Sequence, residues 1–308
     1  GAWSDAVLNH LSIDLSIPSL FISNVEFRYR FKQWVYRSPN PFRMVQRADF
    51  DMALVESAVN RGMVFHENEY FVDAICEKKR LVVSTSRSQY FVRAIVGADG
   101  ALSMVRRSMM RPYRSCLAPT IQISAPVDPL YDAEFGQQKL GIDFSPVDQG
   151  LQGYAWHCPC LEKKTPRMNH GIGNFRFYRG KPRADLKSIF RRELHDRNID
   201  MALDAWSSHP IRWFSHDVPI ARPNVILVGD AAGLASPLTG EGINPALVSA
   251  EAAAAAIIGS SAEPDTLQRI IKRHRSHRMM SSTAGRSKLL ALVLSELSGL
   301  LLRLKVIG

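Results

Sequence analysis

Two segments far apart in the chain share one pattern: an apolar stretch, a tight turn of glycine and aspartate, and the beginning of a helix. The first, IVGADGALSMVRR, spans residues 95–107, and the second, NVILVGDAAGLASPLTGEGINPAL, spans residues 224–247. This pattern is typical of α/β sheets, in which ligands bind at the carboxyl ends of the strands. We therefore predict an α/β domain that is built from both ends of the chain.

The region between these segments has a different character. From about residue 115 to residue 215 the pattern is mostly strand-like, with one helical segment near 184–196. We therefore predict two domains, with boundaries at 1–115 and 215–308 for the discontinuous α/β domain and 116–214 for an inserted, β-rich α+β domain.

Local patterns predict further elements of the discontinuous domain. Residues 47–61 place apolar side chains at helical spacing, and residues 70–96 contain three short strand-like runs separated by polar turns, as in a meander. A helix is predicted over 245–258, with Asn244 as its N-cap and Pro245 at its first position.

Composition narrows the class of partners. The chain has 308 residues, a formal net charge of +10 and a pI near 9.6, which favours anionic partners such as phosphate esters or an acidic membrane surface. No nucleic-acid partner is expected, because the basic run HRSHR at residues 274–278 stands without a nucleic-acid-binding motif. Four cysteines are too few for a disulfide scaffold, so a reducing compartment, the cytoplasm, is the expected location.

A metal site is not expected either. His157, Cys158 and Cys160 lie close together in the sequence, but the Cys-Pro-Cys run lacks the two-residue spacing of metal-binding cysteine pairs. A matching second pair of cysteines does not occur elsewhere in the sequence.

The second glycine segment contains the strongest candidate site. The apolar run 225–228 leads to Gly229 and Asp230 at the end of a strand, where a carboxylate is suited to accept hydrogen bonds from ligand hydroxyls. Gly240 and Gly242 allow the backbone to approach a flat ligand closely. The following helix directs its amide groups at the same place and would stabilise a ring that becomes anionic on reduction. The alternative is an ordinary glycine-rich turn between a strand and a helix.

The run GDAAGLASPLTGEGI at residues 229–243 resembles the second FAD-binding motif of the flavoprotein hydroxylase superfamily. More narrowly, it is similar to the GDAAGxxxPxTGEGI signature of the geranylgeranyl reductase family. The resemblance implies that Asp230 binds the ribityl hydroxyls of FAD and that Gly242 and Ile243 lie against the isoalloxazine. It implies the following cofactor-binding residues in this segment: Gly229, Asp230, Gly240, Gly242 and Ile243.

Other segments match further motifs of the same family. Residues 95–107 resemble VxADGxxSxVR, which places Asp99 and Gly100 near the pyrophosphate; the alternative for Asp99 is a cap of the following helix. Arg47 corresponds to the arginine of RxxFDxxLxxxAxxxG and is expected to contact a flavin phosphate or ribityl oxygen, with an ordinary surface arginine as the alternative. Val72 corresponds to a backbone contact with the adenine end of FAD.

The run GYAWHCPC at residues 153–160 resembles the YxWxFP motif of geranylgeranyl reductases, and the glycine-rich NHGIGNF at 169–175 follows it as in the family. Tyr154 and Trp156 are two residues apart, so they share one face of a strand and could line a slot for an isoprenoid chain. Cys158 stands where the family has phenylalanine, which widens the expected substrate pocket. The alternative is an aromatic pair in an ordinary sheet core.

The resemblance implies a fold and an activity. The fold is an FAD-binding Rossmann-like domain built from both ends of the chain, with an inserted β-rich substrate domain. The activity is the saturation of isoprenoid carbon–carbon double bonds by hydride transfer from reduced flavin, with NAD(P)H or ferredoxin as external reductant. An FAD-dependent monooxygenase or dehydrogenase acting on an aromatic or other apolar substrate is the alternative. The sequence identifies no catalytic proton donor.

Two features concern the ends of the chain. The strand–GxGxxG–helix unit that opens the family's FAD-binding domain is missing, so we expect an N-terminally truncated member and, as a third hypothesis, a non-catalytic remnant. The apolar run KLLALVLSELSGLLLRLK at residues 288–305 is interpreted as a buried helix or, alternatively, as a helix in the membrane interface, which would suit a lipid substrate.

Overall fold

The structure is a computed structural model. It describes residues 2–3, 17–77, 80–110, 116–200, 202, 205–215, 220–259 and 265–286.

The strands follow one another in this order: β1 Ala2–Trp3, β2 Ser19–Tyr29, β3 Lys32–Val45, β4 Phe71–Glu77, β5 Arg80–Thr85, β6 Gln89–Val92, β7 Ile95–Gly97, β8 Leu117–Ala118, β9 Thr120–Pro126, β10 Lys139–Asp143, β11 Gly153–Glu162, β12 Thr165–Asn174, β13 Ser207–Ser208, β14 Ile211–Arg212, β15 Ala221–Arg222 and β16 Val225–Leu227. The helices are α1 Arg47–Val59, α2 Met104–Met109, α3 Ala133–Gly136, α4 Leu186–His195, α5 Gly229–Ala232, α6 Ile243–Ile258 and α7 Asp265–Arg286, with a 3₁₀ turn at Ser145–Gln149.

The chain folds into two compact units. Unit 1 contains Gly1–Glu56, Ala118–His209 and Met279–Gly308, and unit 2 contains Ser57–Leu117 and Pro210–Arg278. This division differs from the predicted domain boundaries, because β2 and β3 lie with the β-rich region and not with the glycine segments. The reason is that β2 pairs in parallel with β10, a contact across more than a hundred residues that local sequence patterns do not reveal.

Unit 1 is built on a mixed eight-stranded sheet with the strand order β1-β3-β2-β10-β11-β12-β9-β13. The pairing of β2 with β10 is parallel, and the other neighbours are antiparallel. The helix α4 packs Ile189, Phe190 and Leu194 against one face of the sheet, where Ala155 is fully buried. The opposite face carries a second apolar cluster around Ile22, Met44 and Cys158.

Unit 2 brings the two glycine segments side by side. The strands β7 and β16 are parallel neighbours, with Leu227 opposite Gly97, so both glycine turns follow the carboxyl ends of adjacent strands. An alanine Cβ at Gly97 would lie only 2.6 Å from Leu227 Cδ2 and 3.0 Å from Val105 Cγ1, which shows how closely β7, β16 and α2 pack. The strands β4, β5 and β6 form the predicted antiparallel meander.

The predicted helices are found, with one correction. The helices α1 and α4 agree with the helical patterns of residues 47–61 and 184–196. The helix α6 begins at Ile243, with Gly242 as its N-cap, so the prediction of Asn244 as N-cap was wrong. Pro245 is the third helical residue and not the first; because the first-turn amides have no intrahelical partner, a proline is tolerated throughout that turn.

Among the described residues, no helix has the length and apolar character needed to cross a bilayer. The apolar run at 288–305 lies outside the described residues.

Candidate cofactor and substrate sites

The strand β16 delivers Gly229 and Asp230 to the end of the sheet in unit 2. Gly229 has a φ of +52°, a left-handed conformation that glycine adopts without steric cost, and its N–H donates to Ser249 Oγ at 2.9 Å. Asp230 lies in the first turn of α5, and its Oδ2 accepts a long hydrogen bond of 3.4 Å from the backbone N–H of Arg212. The carboxylate is therefore positioned by the turn itself and by a neighbouring strand.

Gly242 lies against this carboxylate. A Cβ built on Gly242 would be 3.1 Å from Asp230 Oδ1, so the backbone at the beginning of α6 lies closer to Asp230 than a side chain at this position would normally allow. No side chain caps the first turn of α6, and Ile243, its first residue, is buried. Gly240 supports the tight loop before the helix with a φ of +66° and a hydrogen bond from its N–H to Ser236 O at 3.0 Å.

These residues fit the isoalloxazine and ribityl parts of FAD. Asp230 presents a carboxylate of the kind that hydroxyl groups donate to, Gly242 brings the backbone close to it, and the amides at the start of α6 favour negative charge. The fit rests on the described geometry of Asp230 and Gly242 and on the absence of a capping side chain at the start of α6.

Asp99 accepts hydrogen bonds at the start of α2, whose N-cap residue is Ser103. Its Oδ1 accepts a hydrogen bond of 2.5 Å from Ser103 Oγ, and its Oδ2 accepts from the backbone N–H groups of Met104 at 2.6 Å and Val105 at 3.0 Å. Gly100 makes the turn with a φ of +76°. The structure thus supports the capping alternative for Asp99, and a contact of Asp99 with the pyrophosphate stays a prediction.

Two buried arginines near this site were not identified from the sequence. Arg106 donates from Nε to Ala231 O at 2.6 Å, and Arg212 donates from Nε to Ala101 O at 2.7 Å. Each guanidinium therefore links the two chain segments of unit 2, Ser57–Leu117 and Pro210–Arg278. Burial, and then the neighbouring charge of Arg212, lower the pKa of Arg106 to about 10. The SxVR part of the first motif contains Arg106, but nothing local predicts its burial.

Arg47 and Val72, for which cofactor contacts were predicted, are both exposed. The Arg47 side chain is 58% exposed and forms an ion pair of 3.0 Å with Asp51, one helical turn along α1. Val72 is 52% exposed on β4. Arg47 belongs to unit 1, whereas Val72 and Asp230 belong to unit 2. The cofactor contacts of Arg47 and Val72 remain predictions.

The aromatic residues of β11 share one face, as their spacing predicts. The rings of Tyr154 and Trp156 meet edge to face with centroids 6.3 Å apart, and Tyr154 stacks on Phe175 at 5.7 Å. Cys158 lies buried on the same face, beside Ile22 and Met44. Burial raises the pKa of the Cys158 thiol, so this residue is a neutral, apolar part of this face of β11.

The opposite face of β11 carries a polar pair that the sequence did not predict. His157 and His170 are buried and face each other across β11 and β12, with their Nδ1 atoms 2.8 Å apart. His157 Nε2 lies 3.2 Å from Glu193 Oε1 on α4. Burial lowers the pKa of His157 and lowers that of His170 to about 3, so both imidazoles are neutral at pH 7.

The residues around Cys158 do not form a metal-binding cluster. His157 and Cys158 point to opposite faces of β11 because successive side chains alternate along a strand. In the part of the chain that the structure describes, no group of three or more His, Cys, Asp or Glu side chains is arranged to hold a metal ion.

Comparisons with known proteins place the chain in a family. A model of the family described as the FAD binding domain matches residues 19–268. The chain is 26% identical over 250 residues to digeranylgeranylglycerophospholipid reductase 1 from Methanopyrus kandleri, covering 75% of this chain and 62% of that protein. It is 30% identical over 208 residues to a chloroplastic geranylgeranyl diphosphate reductase from Oryza sativa subsp. japonica, covering 66% of this chain and 40% of that protein.

The fold is also found among solved structures. A geranylgeranyl bacteriochlorophyll reductase-like protein from Thermoplasma acidophilum superposes with a TM-score of 0.68 over 92% of this chain and 76% of that chain. At 18% identity this similarity concerns the fold. The chain spans 62% and 40% of the lengths of the two curated relatives.

Proposed function

The chain belongs to the FAD binding domain family, and from this premise we propose that it is an FAD-dependent oxidoreductase of the geranylgeranyl reductase type. The reaction that we propose is the saturation of carbon–carbon double bonds in an isoprenoid lipid or diphosphate. The observation that carries the proposal is the approach of Gly242 to Asp230, where an added Cβ would lie 3.1 Å from the carboxylate oxygen. When bound there, FAD would supply the hydride, with NAD(P)H or ferredoxin as its external reductant.

The residues of unit 2 have distinct roles in this proposal. Asp230 would accept hydrogen bonds from the ribityl hydroxyls, and the backbone N–H of Arg212 donates to its Oδ2 at 3.4 Å. Gly242 and Ile243 would hold the ring at the first turn of α6, where the amide groups of the helix would favour negative charge on it. Gly229 and Gly240 shape the two turns that bring these groups together.

The aromatic face of unit 1 and the names of the relatives support the proposed substrate class. Tyr154, Trp156 and Cys158 lie on a face whose neighbours, Leu20, Phe42 and Leu140, are apolar. Such a surface suits a long hydrocarbon chain better than a polar substrate. Two of the relatives are named as reductases of geranylgeranyl compounds, and we transfer this substrate class to the chain as part of the proposal.

We further propose a cytoplasmic protein that contacts the membrane surface peripherally. A lipid substrate resides in the membrane, and a net charge of +10 attracts an anionic surface. A nucleic-acid partner is not part of the proposal.

The test is anaerobic turnover with dithionite-reduced protein and polyprenyl substrates of different length, followed by flavin reoxidation and by mass analysis of the product. Saturation of the substrate is the expected result. Oxygen-dependent oxidation of an aromatic substrate, without alkene reduction, would favour the monooxygenase alternative. A purified protein that binds no flavin would favour the non-catalytic alternative.

The variant Trp156→Ala links this activity to the aromatic face. Loss of a large apolar contact with the substrate is worth about 3 kcal/mol, so turnover of the polyprenyl substrate should fall about a hundredfold while flavin binding stays unchanged. The matched control is Trp206→Ala, because Trp206 packs on Phe190 of α4, on the other face of the sheet, at a centroid distance of 5.1 Å. Equal effects of the two variants would contradict the assignment of the substrate face.

A further inference from the structure

The indole of Trp156 lies across the neighbouring strand β12. In the register of β11 and β12, Trp156 is directly opposite Gly171. A Cβ at Gly171 would overlap the indole at Cε2 and Cζ2. The ring therefore occupies the space that the missing side chain of Gly171 leaves open, and it lies flat on the strand.

One hydrogen bond sets the rotation of this ring. Trp156 Nε1 donates to Asn169 Oδ1 at 2.8 Å. Asn169 is two residues before Gly171 on the same face of β12, so both residues hold the indole from the same strand. Tyr154 meets the indole edge to face from the other side.

Asn169 is itself held in one orientation. Its Nδ2 donates to Ile123 O at 3.2 Å and lies 3.5 Å from Gln122 Oε1 on β9, the next strand of the sheet. The amide N–H₂ group thus faces two acceptors, and the amide oxygen faces the indole N–H. A flipped amide would place a donor against a donor and an acceptor against two acceptors, which disfavours it.

We propose that Asn169 is a positioning residue that orients Trp156 and thereby sets which isoprenoid chain lengths the substrate face accepts. This inference rests on the proposed function. If the indole of Trp156 could rotate, the surface that contacts the hydrocarbon substrate would vary in shape. The substrate would then lose part of the contact by which the protein discriminates between chain lengths. Asn169 acts through Trp156, and no contact of Asn169 with the substrate is needed.

The test compares Asn169→Leu, which removes the acceptor, with Asn169→Asp, which keeps an acceptor oxygen at the same position. The first readout is the indole N–H hydrogen-bond marker of Trp156 in ultraviolet resonance Raman spectra, assigned by difference against Trp156→Phe. We expect Asn169→Leu to lose the marker and Asn169→Asp to keep it. This readout needs neither flavin nor substrate.

The second readout is kinetic. For Asn169→Leu we expect kcat/KM for the preferred polyprenyl substrate to fall about five- to tenfold, mainly through a higher KM. This magnitude corresponds to the loss of one buried neutral hydrogen bond. The ratio of kcat/KM between long and short chains should also become smaller. Asn169→Asp keeps an acceptor for the indole N–H but places its second carboxylate oxygen against Ile123 O, so it should restore the preference only in part. The rate of flavin reduction should not change in either variant.

The matched control is Asn174→Leu. Asn174 is a buried asparagine of the same strand, but it lies on the opposite face, where its Oδ1 accepts from the Arg176 N–H at 3.3 Å. We expect this variant to lose stability without any change in the Trp156 marker or in chain-length preference.

The outcomes separate this inference from the proposed function. An active protein whose chain-length preference is the same in Asn169→Leu as in wild type overturns the inference alone. So does a Trp156 marker that survives in Asn169→Leu. A wild-type protein that neither binds nor reduces polyprenyl chains overturns the proposed function, and the inference on selectivity falls with it.

Discussion

Replacing Gly242 by alanine should weaken flavin binding while leaving the fold intact. The added methyl would lie 3.1 Å from Asp230 Oδ1, closer than carbon and oxygen normally approach, so the carboxylate must move by a few tenths of an ångström. The backbone tolerates alanine, because Gly242 has a φ of −127°. The helix cap changes from glycine to alanine, which costs at most about 1 kcal/mol of stability.

The magnitude follows from the role of the carboxylate. If Asp230 accepts hydrogen bonds from the ribityl chain, displacing it loses an interaction of a charged group, worth about 1.5–3 kcal/mol. The dissociation constant for FAD should therefore rise about ten- to hundredfold. The assay is a titration of apoprotein with FAD, read by quenching of flavin fluorescence, together with urea unfolding of the apoprotein.

Two further variants make the test specific. Gly259→Ala changes a glycine at the other end of α6, where φ is +70° and no atom lies within 4 Å of the added Cβ, so it should lower stability without affecting FAD binding. Since the methyl at position 242 acts through Asp230, the double variant Gly242→Ala/Asp230→Ala should bind FAD no more weakly than Asp230→Ala. Unchanged FAD affinity of Gly242→Ala, or fully additive losses in the double variant, would refute the reasoning.

Two further predictions concern stability. Gly97→Ala should destabilise unit 2 by about 1–3 kcal/mol, because the added Cβ would lie 2.6 Å from Leu227 Cδ2. Urea unfolding should show this as a lower midpoint, and a midpoint equal to that of wild type would contradict the close packing of β7 on β16. The free energy of unfolding should fall as the pH decreases from 6.5, since burial lowers the pKa of His170 to about 3 and the unfolded state binds more protons between these values. One histidine changes the free energy of unfolding by at most about 1.4 kcal/mol per pH unit. Between pH 7 and pH 5, the free energy of unfolding measured in urea should therefore depend less steeply on pH for His170→Asn than for wild type.

Features that depend on residues close in the sequence could be predicted. The glycine turns before α2 and α5, the meander of β4, β5 and β6, and the helices α1 and α4 follow from local spacing and turn residues. The shared face of Tyr154 and Trp156 follows from the alternation of side chains along a strand. The start of α6 was placed too late, because both Asn244 and Gly242 are acceptable N-caps and the sequence does not decide between them.

The sequence by itself therefore determined the motif pair at residues 95–107 and 224–247, and with it the expectation of a flavin site around Asp230. Only the tertiary structure decided that β2 pairs with β10, that Arg106 and Arg212 are buried, and that the indole N–H of Trp156 donates to Asn169. The physical reason is the range of the interactions. Turns and strand alternation are set by sterics and hydrogen bonds among neighbouring residues, whereas strand pairing and the burial of a charged side chain depend on segments that meet only when the chain folds.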